Sequence, residues 1–344
     1  MDMFETRSML TAVRQMLPVR TFLKDTFFPN ANTYDTLKVD FDIVAGKREI
    51  APYVHPQIGG KTIENRSYQT KSYEPPEVSP DFVTTAENLL KRSAGENVYN
   101  AKSPEERAEE KLAEDLGRGD EMITRREEQQ CSQALFDGKI TVNGDGYDSV
   151  EINFWAGLPA QEQPYLELAG GQLWNTDTSN PQQDLKDAVI SVQKACGLTP
   201  RDAILGENAA KAYTSNPTVV KNLDIKDAQF GSINLDELPN GVTYIGYDKV
   251  SQLRLWTYNE WYNDPVTDEL KPMVPVDKVG IISREMETEF AYGVVEDADE
   301  GAFAVERLPI SWTQKKPSKR FIQVKSKPLA IIKQVLGLKI LKVV

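Results

Sequence analysis

The sequence predicts an α+β protein, and three stretches carry that prediction. They are a two-residue apolar alternation from Leu37 that runs into a proline-rich extended arm, one isolated charged helix starting at Pro104, and a region from about Asp184 where helices alternate with short strands. With 344 residues the chain is long enough for about two domains that bury about three quarters of the unfolded surface. Hydrophobic residues make up 40% and charged residues 27%, with a mean hydropathy of -0.47, a globular composition rather than a disordered or fibrous one. The longest apolar runs, such as Leu329 to Ile332, fall far short of the ~20 residues of a membrane-crossing helix. Asp2, Glu5, Arg7 and Arg14 interrupt the stretch from Met1 to Pro18 where a secretion signal is apolar. No membrane partner is expected, and the chain is expected to stay in the cytoplasm.

Each element follows in order. Within residues 1–36, Met9, Leu10, Val13 and Leu17 recur at helical spacing up to Pro18, and the aromatic cluster Phe22, Phe27 and Phe28 follows. That is too little apolar surface to fold alone, so the segment reads as an N-terminal arm. Val39, Phe41 and Ile43 then alternate with Lys38, Asp40 and Asp42, as in a half-exposed strand. A second extended run begins at Arg48 and passes through Ala51-Pro-Tyr-Val-His-Pro-Gln-Ile-Gly-Gly60, Tyr68 to Tyr73 and Glu74-Pro-Pro-Glu-Val-Ser-Pro80. Prolines at this density exclude helix and central strand, leaving a long extended hairpin or loop with prolines on its edges. Ordered loops of this length are uncommon without a task, and packing on another subunit is one.

Ser103-Pro104-Glu105-Glu106 starts a helix, with Ser at the N-cap, Pro at the first helical position and Glu106 placed for a capping box. Helical chemistry runs to Phe136, where Asp137-Gly138 stops it, giving a length of about 50 Å that must stick out of or span its domain. The apolar stripe is thin, Ala108, Leu112, Leu116, Ile123 and Ala134, with a lapse between the last two that argues against an isolated coiled coil. Ion pairs at i,i+4 are expected for Lys111 with Asp115 and Glu121 with Arg125. Lys139 to Val142 and Asp148 to Phe154, joined by Asn143-Gly-Asp-Gly146, read as a hairpin. The Gly144/Gly146 pair opens no helix and lacks the third glycine of a dinucleotide loop, and Asp145 and Asp148 read as turn residues.

Asn180-Pro181 caps a helix whose inward face is Leu185, Ala188, Val189, Val192 and Cys196, which places Cys196 in the core. A strand at Asp202 to Gly206 and short helices at Glu207 to Thr214 and Pro217 to Leu223 follow. Strands are then expected at Tyr244 to Tyr247, Leu253 to Tyr262 and Lys278 to Ser283, and residues 302–325 are extended again. Trp256, Tyr258 and Trp261 read as core or interface residues rather than a ligand site.

The net charge of -12, from 40 basic and 52 acidic residues, excludes tight binding of a polyanion by the whole surface. The sign is unevenly placed: past Glu306 there are ten Lys and Arg and no acid, which leaves -22 on the residues before. Two readings of that basic stretch stand, strand lysines that block edge pairing or contact with acidic surface on a neighbouring copy. Cys131 and Cys196 furnish neither a disulfide framework nor a zinc cluster. No Gly-x-Ser-x-Gly elbow, Walker loop or zinc-protease helix occurs, and His55, the single histidine, lies between Val54 and Pro56 in the extended arm, where general-base chemistry would need an oriented partner and a pocket. No residue is singled out as catalytic, cofactor-binding or metal-ligating, and no cofactor is expected.

The order of parts resembles the Hong Kong 97-like fold of tailed-phage major capsid proteins, and within it the phage capsid protein E family. The residues that carry the resemblance are Phe22 to Phe28, Ala51-Pro-Tyr-Val-His-Pro with Gly59-Gly60, Tyr73-Glu-Pro-Pro-Glu-Val-Ser-Pro80, Arg126-Glu-Glu128 through Ala134-Leu-Phe-Asp-Gly-Lys139, and Ala203-Ile-Leu-Gly with the helix after it. Their order across about 300 residues is what is specific. The resemblance implies an N-terminal arm (1–36), an extended loop lying over a neighbouring subunit (37–82) and a peripheral domain with its spine helix at 104–136 (83–183). It further implies an axial domain (184–296) and a return to the peripheral domain with a basic C-terminal segment (297–344). It implies a non-enzymatic virion protein that self-assembles in the host cytoplasm, as pentamers and hexamers, into an icosahedral shell enclosing double-stranded DNA without sequence-specific binding. A portal, a separate scaffolding protein and a decoration protein are the implied partners; a lysine crosslink from Lys61 or Lys71 is the alternative to decoration. The rivals are an encapsulin-like compartment shell and a soluble α/β enzyme.

Overall fold

The computed structural model describes residues 6–15, 21–44, 50–51, 53–55, 68–85, 87, 103–144, 147–159, 162–224, 241–297 and 301–344; Leu17, Pro18, Gly59-Gly60, Lys61 and Asp145-Gly146 lie outside them. The first half of the chain forms helices α1 (Thr6–Gln15) and α2 (Leu23–Phe27), strands β1 (Ala31–Thr33), β2 (Val39–Val44), β3 (Tyr68–Tyr73) and β4 (Asp81–Thr85), the long helix α3 (Pro104–Asp137), and strands β5 (Lys139–Gly144), β6 (Tyr147–Asn153) and β7 (Tyr165–Glu167). Helix α4 (Pro181–Ala195), strand β8 (Asp202–Leu205), helices α5 (Glu207–Ser215) and α6 (Pro217–Asp224), and strands β9 (Val242–Asp248), β10 (Leu253–Tyr258), β11 (Trp261–Asn263) and β12 (Leu270–Pro272) follow. The rest is strand: β13 (Lys278–Ile282), β14 (Thr288–Tyr292), β15 (Val295–Asp297), β16 (Gly301–Phe303), β17 (Leu308–Lys315), β18 (Ser318–Lys325), β19 (Pro328–Ile332) and β20 (Leu338–Lys342).

The long helix obeys its local signals. The Glu106 N–H donates to Ser103 Oγ at 3.1 Å and the Ser103 N–H donates to the Glu106 carboxylate at 2.7 Å, a closed capping box. Gly138 ends the helix at φ 65°, where a β-carbon would run into the Trp155 ring. Leu112, Leu116 and Ile123 pack against Met9 of α1 and Ile322 and Val324 of β18, so the arm helix and an outer sheet cover the first half of α3. Where the apolar stripe lapses the helix is still covered: Glu127, Glu128, Gln129, Gln130 and Ser132 are buried. Lys111 pairs with Asp115 at 2.9 Å, whereas Arg125, expected against Glu121, is instead 4.0 Å from Glu260.

A six-stranded sheet of order β7-β20-β13-β8-β10-β9 forms the centre of the α/β region. β8 runs parallel to β10 and antiparallel to β13, and all four of its residues are buried, as a central strand covered on both faces requires. Ala203 and Leu205 face the cluster formed with Leu185, Val189 and Tyr213, while Ile204 faces the main core with Phe136 and Trp256. The described residues after Asp297 divide among four sheets, the first through β16, which pairs with β15. β17 and β18 join β4 over the long helix, β19 pairs with β14, and β20, buried at Leu338, Ile340 and Leu341, enters the six-stranded sheet between β13 and β7.

The expected strand from Leu253 to Tyr262 breaks at Asn259, whose N–H turns to the Gly241 carbonyl, and β11 folds back onto β12 through a turn at 265–267. Cys196 corrects an expectation. The α-helix ends at Ala195, so Cys196 leaves the helical face at φ -127° and sits half-buried, its thiol facing the Leu336 carbonyl at 3.3 Å. Among the described residues no helix is long and apolar enough to cross a membrane.

Candidate assembly surfaces

The arm has a built root, and the described residues beyond it, 50–51 and 53–55, are exposed. β2 and β3 pair in register from Val39 opposite Tyr73 to Val44 opposite Tyr68, so the predicted alternation closes a hairpin. Phe41 is buried 5.9 Å from the Tyr73 ring and 6.1 Å from Phe154. The Lys71 ammonium donates to the Asn153 carbonyl at 2.8 Å, and burial lowers its pKa below the ordinary lysine value. Lys71, considered above for a crosslink, is thereby held against its own subunit. Past the root the described apolar side chains are exposed: Ile50 by 92%, Tyr53 by 105% and Val54 by 41%, with His55 exposed beside them.

A second construction locks the N-terminal arm to α3. Helix α2 has no side chain of its own at the N-cap. Instead the N–H groups of Phe22, Leu23 and Lys24 donate to the Glu128 carboxylate at 2.9, 2.7 and 3.0 Å, which satisfies the donors a helix start leaves open. One residue earlier, Glu127 accepts from the Lys24 ammonium at 2.8 Å and from Arg307 at 2.6 Å, and Arg307 also reaches Asp120 at 2.8 Å. Burial alone raises Glu127, but Arg307 and Lys24 outweigh it and hold the carboxyl below the usual glutamate range. For Glu128 burial wins over the three backbone donors, and its pKa is raised. Sequence reasoning gave Lys24, Glu127, Glu128 and Arg307 no joint role, because nothing in their spacing pairs them. The lapse in the apolar stripe was their one local signal.

The other polar clusters are structural ties. Asp202, at the start of β8, accepts from Arg254 at 2.8 Å, Arg284 at 2.7 Å and the Trp256 indole at 2.9 Å, so its carboxylate is saturated. Trp256 and Tyr258 pack on Phe22, with ring centroids 5.6 and 5.7 Å apart, while Trp261 is 40% exposed, in keeping with core and surface packing. Several charges of the basic stretch are neutralised within the chain: Arg307 in the lock, Lys333 on Glu289 at 2.5 Å, Lys342 on Glu167 at 2.6 Å. Lys315, Lys316 and Lys319 lie on the β17–β18 hairpin.

An uncovered apolar arm on a fastened root, with surfaces of opposite sign, fits a subunit built to meet copies of itself. The profile of the family described as phage major capsid protein E matches residues 5–343. The chain belongs to the phage major capsid protein E family. It is 23% identical to the major capsid protein of Escherichia phage lambda over 341 residues, 96% of each chain. It is 24% identical to that of Enterobacteria phage P21, again over 96% of each. Among solved structures, a capsid protein of a prophage of Escherichia coli CFT073 superimposes with a TM-score of 0.75 at 19% identity, covering 98% of this chain and 99% of that one. The fold is the Hong Kong 97-like fold, and the protein is a tailed-phage major capsid protein. In this capsid protein the matching segments Phe22 to Phe28 and Arg126 to Glu128 meet at the lock, and Ala203 to Leu205 form the central strand.

Proposed function

We propose that this capsid protein self-assembles through pentamers and hexamers into a closed icosahedral shell that encloses double-stranded DNA in the virion, after assembly in the host cytoplasm. The arm carries the reading: Ile50, Tyr53 and Val54 are exposed apolar side chains on an extended segment, and exposed surface of this kind marks an interaction site. In this reading residues 37–82 lie over a neighbouring copy, α3 is the spine of a peripheral domain, and residues 184–296 group around the five-fold and six-fold axes. Shell contacts are then spread over many interlocking surfaces, and no catalytic step is involved. A portal, a separate scaffolding protein and a decoration protein are the proposed partners. The net charge of -12 suits a wall that must not pin the genome it encloses.

The test is negative-stain electron microscopy and sedimentation of the chain expressed alone and with a scaffold encoded at the same locus. Closed shells, tubes or capsomer-sized rings support the proposal, and a monomer or dimer under both conditions overturns it. Nuclease-protected DNA in particles separates a phage head from an encapsulin-like shell, which holds protein cargo.

A further inference from the structure

We propose that a groove at the foot of the arm is a strand-accepting site whose occupant is the Ile50 to His55 segment of a second copy of this chain; the inference rests on the shell reading and assigns the place where an arm lands. The groove, about 650 Å³, runs between β5 and residues 76–80, on a floor of α3 side chains. Five consecutive residues of β5, 140–144, line it, so it is the edge of that strand that faces the groove. Among the described residues β5 pairs with β6 and with no other strand. The Phe154 N–H donates to the Gly138 carbonyl at 2.8 Å, so the antiparallel alternation points the main-chain groups of Ile140 and Val142 at β6 and those of Thr141 into the groove. A side chain stands in for a strand at one point, where the Thr141 N–H donates to Gln133 Oε1 at 3.4 Å. On the floor Gln130 is only 3% exposed, yet its side-chain carbonyl has no hydrogen-bond partner among the described residues. Buried carbonyls are paired as a rule, so the groove lacks an N–H donor beside an open strand edge.

An extended polypeptide supplies such donors, and the arm of this chain has the matching pattern. In an extended chain the N–H groups of alternate residues point to one edge. Proline has none, so Pro52 and Pro56 blunt one edge of the segment, while Ala51 and Tyr53 keep their donors on the other. A strand of this kind pairs on a single side, as a strand added to an open sheet edge does. The charges agree with that occupant. The groove is lined by one base and one acid, Arg126 and Glu77, and the Arg126 guanidinium donates to Gln129 Oε1 at 3.1 Å. Ile50 to Gly60 is the longest stretch of the chain without a charged residue. Both surfaces also expose apolar side chains: Met122 and Val266 at the groove, 44% and 62% exposed, and Ile50 and Tyr53 on the arm. Residues 76–80 follow the arm's return strand β3, so each copy carries the groove at the foot of its own arm. A ring in which each arm lands on the next foot is a heterologous contact that closes.

The experiment replaces Tyr53 with photoreactive p-benzoylphenylalanine and assembles particles from an equal mixture of that unlabelled chain and the nitrogen-15-labelled parent. Mass spectrometry then reads where the probe has linked and the isotope of the linked peptide. The expected result is a link to the peptides of Gln130 or Thr141 in the labelled copy, absent from dissociated subunits. Two prolines read the edge: Ala51→Pro removes a donor from the paired side and should raise the critical concentration for assembly about tenfold, while Val54→Pro, on the blunted side, should leave it unchanged. Gln130→Leu should also raise it about tenfold. Because that change removes an unpaired buried carbonyl, the free subunit should unfold at or above the parent's midpoint. Links to other surfaces or other proteins, links confined to one isotope, equal effects of the two prolines, or unchanged assembly by Gln130→Leu overturn the site. A lower subunit midpoint for Gln130→Leu assigns that side chain to the fold and overturns its role as acceptor. Failure of the parent chain to form any particle refutes the shell reading itself.

Discussion

The six-stranded sheet and the arm both carry apolar side chains, yet in one they are closed off and in the other Ile50, Tyr53 and Val54 stand open. Ala203, Ile204 and Leu205 of β8 are fully covered by β10, β13 and the helices, all from the same chain. Ile50 and Tyr53 are covered by nothing in their own subunit. Apolar area removed from water by the same chain stabilises the fold; area that only another copy can cover stabilises assembly. Burying Ile50 against a neighbour is worth about 1.5–3 kcal/mol, a contribution absent from the subunit's own unfolding. The two regions should therefore respond to mutation in different measurements.

Deletion of Ile43 to Lys71 is the harshest way to break this contrast. It should abolish shells and leave a folded subunit whose thermal midpoint, read by calorimetry, falls only by what the Lys71 tie and the lost root pairing contribute; collapse of the subunit would show that the arm belongs to the folding core. Glu127→Ala acts on the opposite side. It leaves Lys24 and Arg307 buried around a missing carboxylate and should cost about 3–5 kcal/mol in urea denaturation. Tyr53→Ser should raise the critical assembly concentration about tenfold without moving the subunit's midpoint.

A pH series sharpens the account of the lock. Glu127 has its folded pKa held below the ordinary 4.5, so its stabilisation is complete above that value and is lost as pH falls through the depressed one. Glu128 has the opposite sign: raised when folded, it disfavours folding above the ordinary value of 4.5, and protonation relieves that. As pH falls below 4.5 the urea midpoint of the parent should therefore lose ground relative to that of Glu127→Ala, which lacks the depressed carboxyl. Ser103→Ala opens the capping box at the exposed end of α3 and should cost about 1 kcal/mol, visible as earlier exchange of the first-turn amides.

What the sequence made legible was local. Ser103 and Glu106 sit three residues apart, Gly138 follows its helix directly, and Val39, Phe41 and Ile43 alternate, so the long helix, its ends and the arm's root were readable from neighbours alone. The lock was not. Glu128 meets Phe22 across 106 positions and Glu127 meets Arg307 across 180, and such pairs leave no spacing to read. The sheet order was hidden for the same reason, since β7 and β20 come from residues 165 and 340 of the chain. Cys196 was misplaced by a single residue, because an inward-facing period says nothing once the helix has ended.

The central claim is that a neighbouring copy covers the arm. Cryo-electron microscopy of the assembled particle tests it most directly. The account predicts that Ile50, Tyr53 and Val54 of each copy lie buried against an adjacent subunit. An arm that stays exposed in the particle, or folds back on its own subunit, would contradict it.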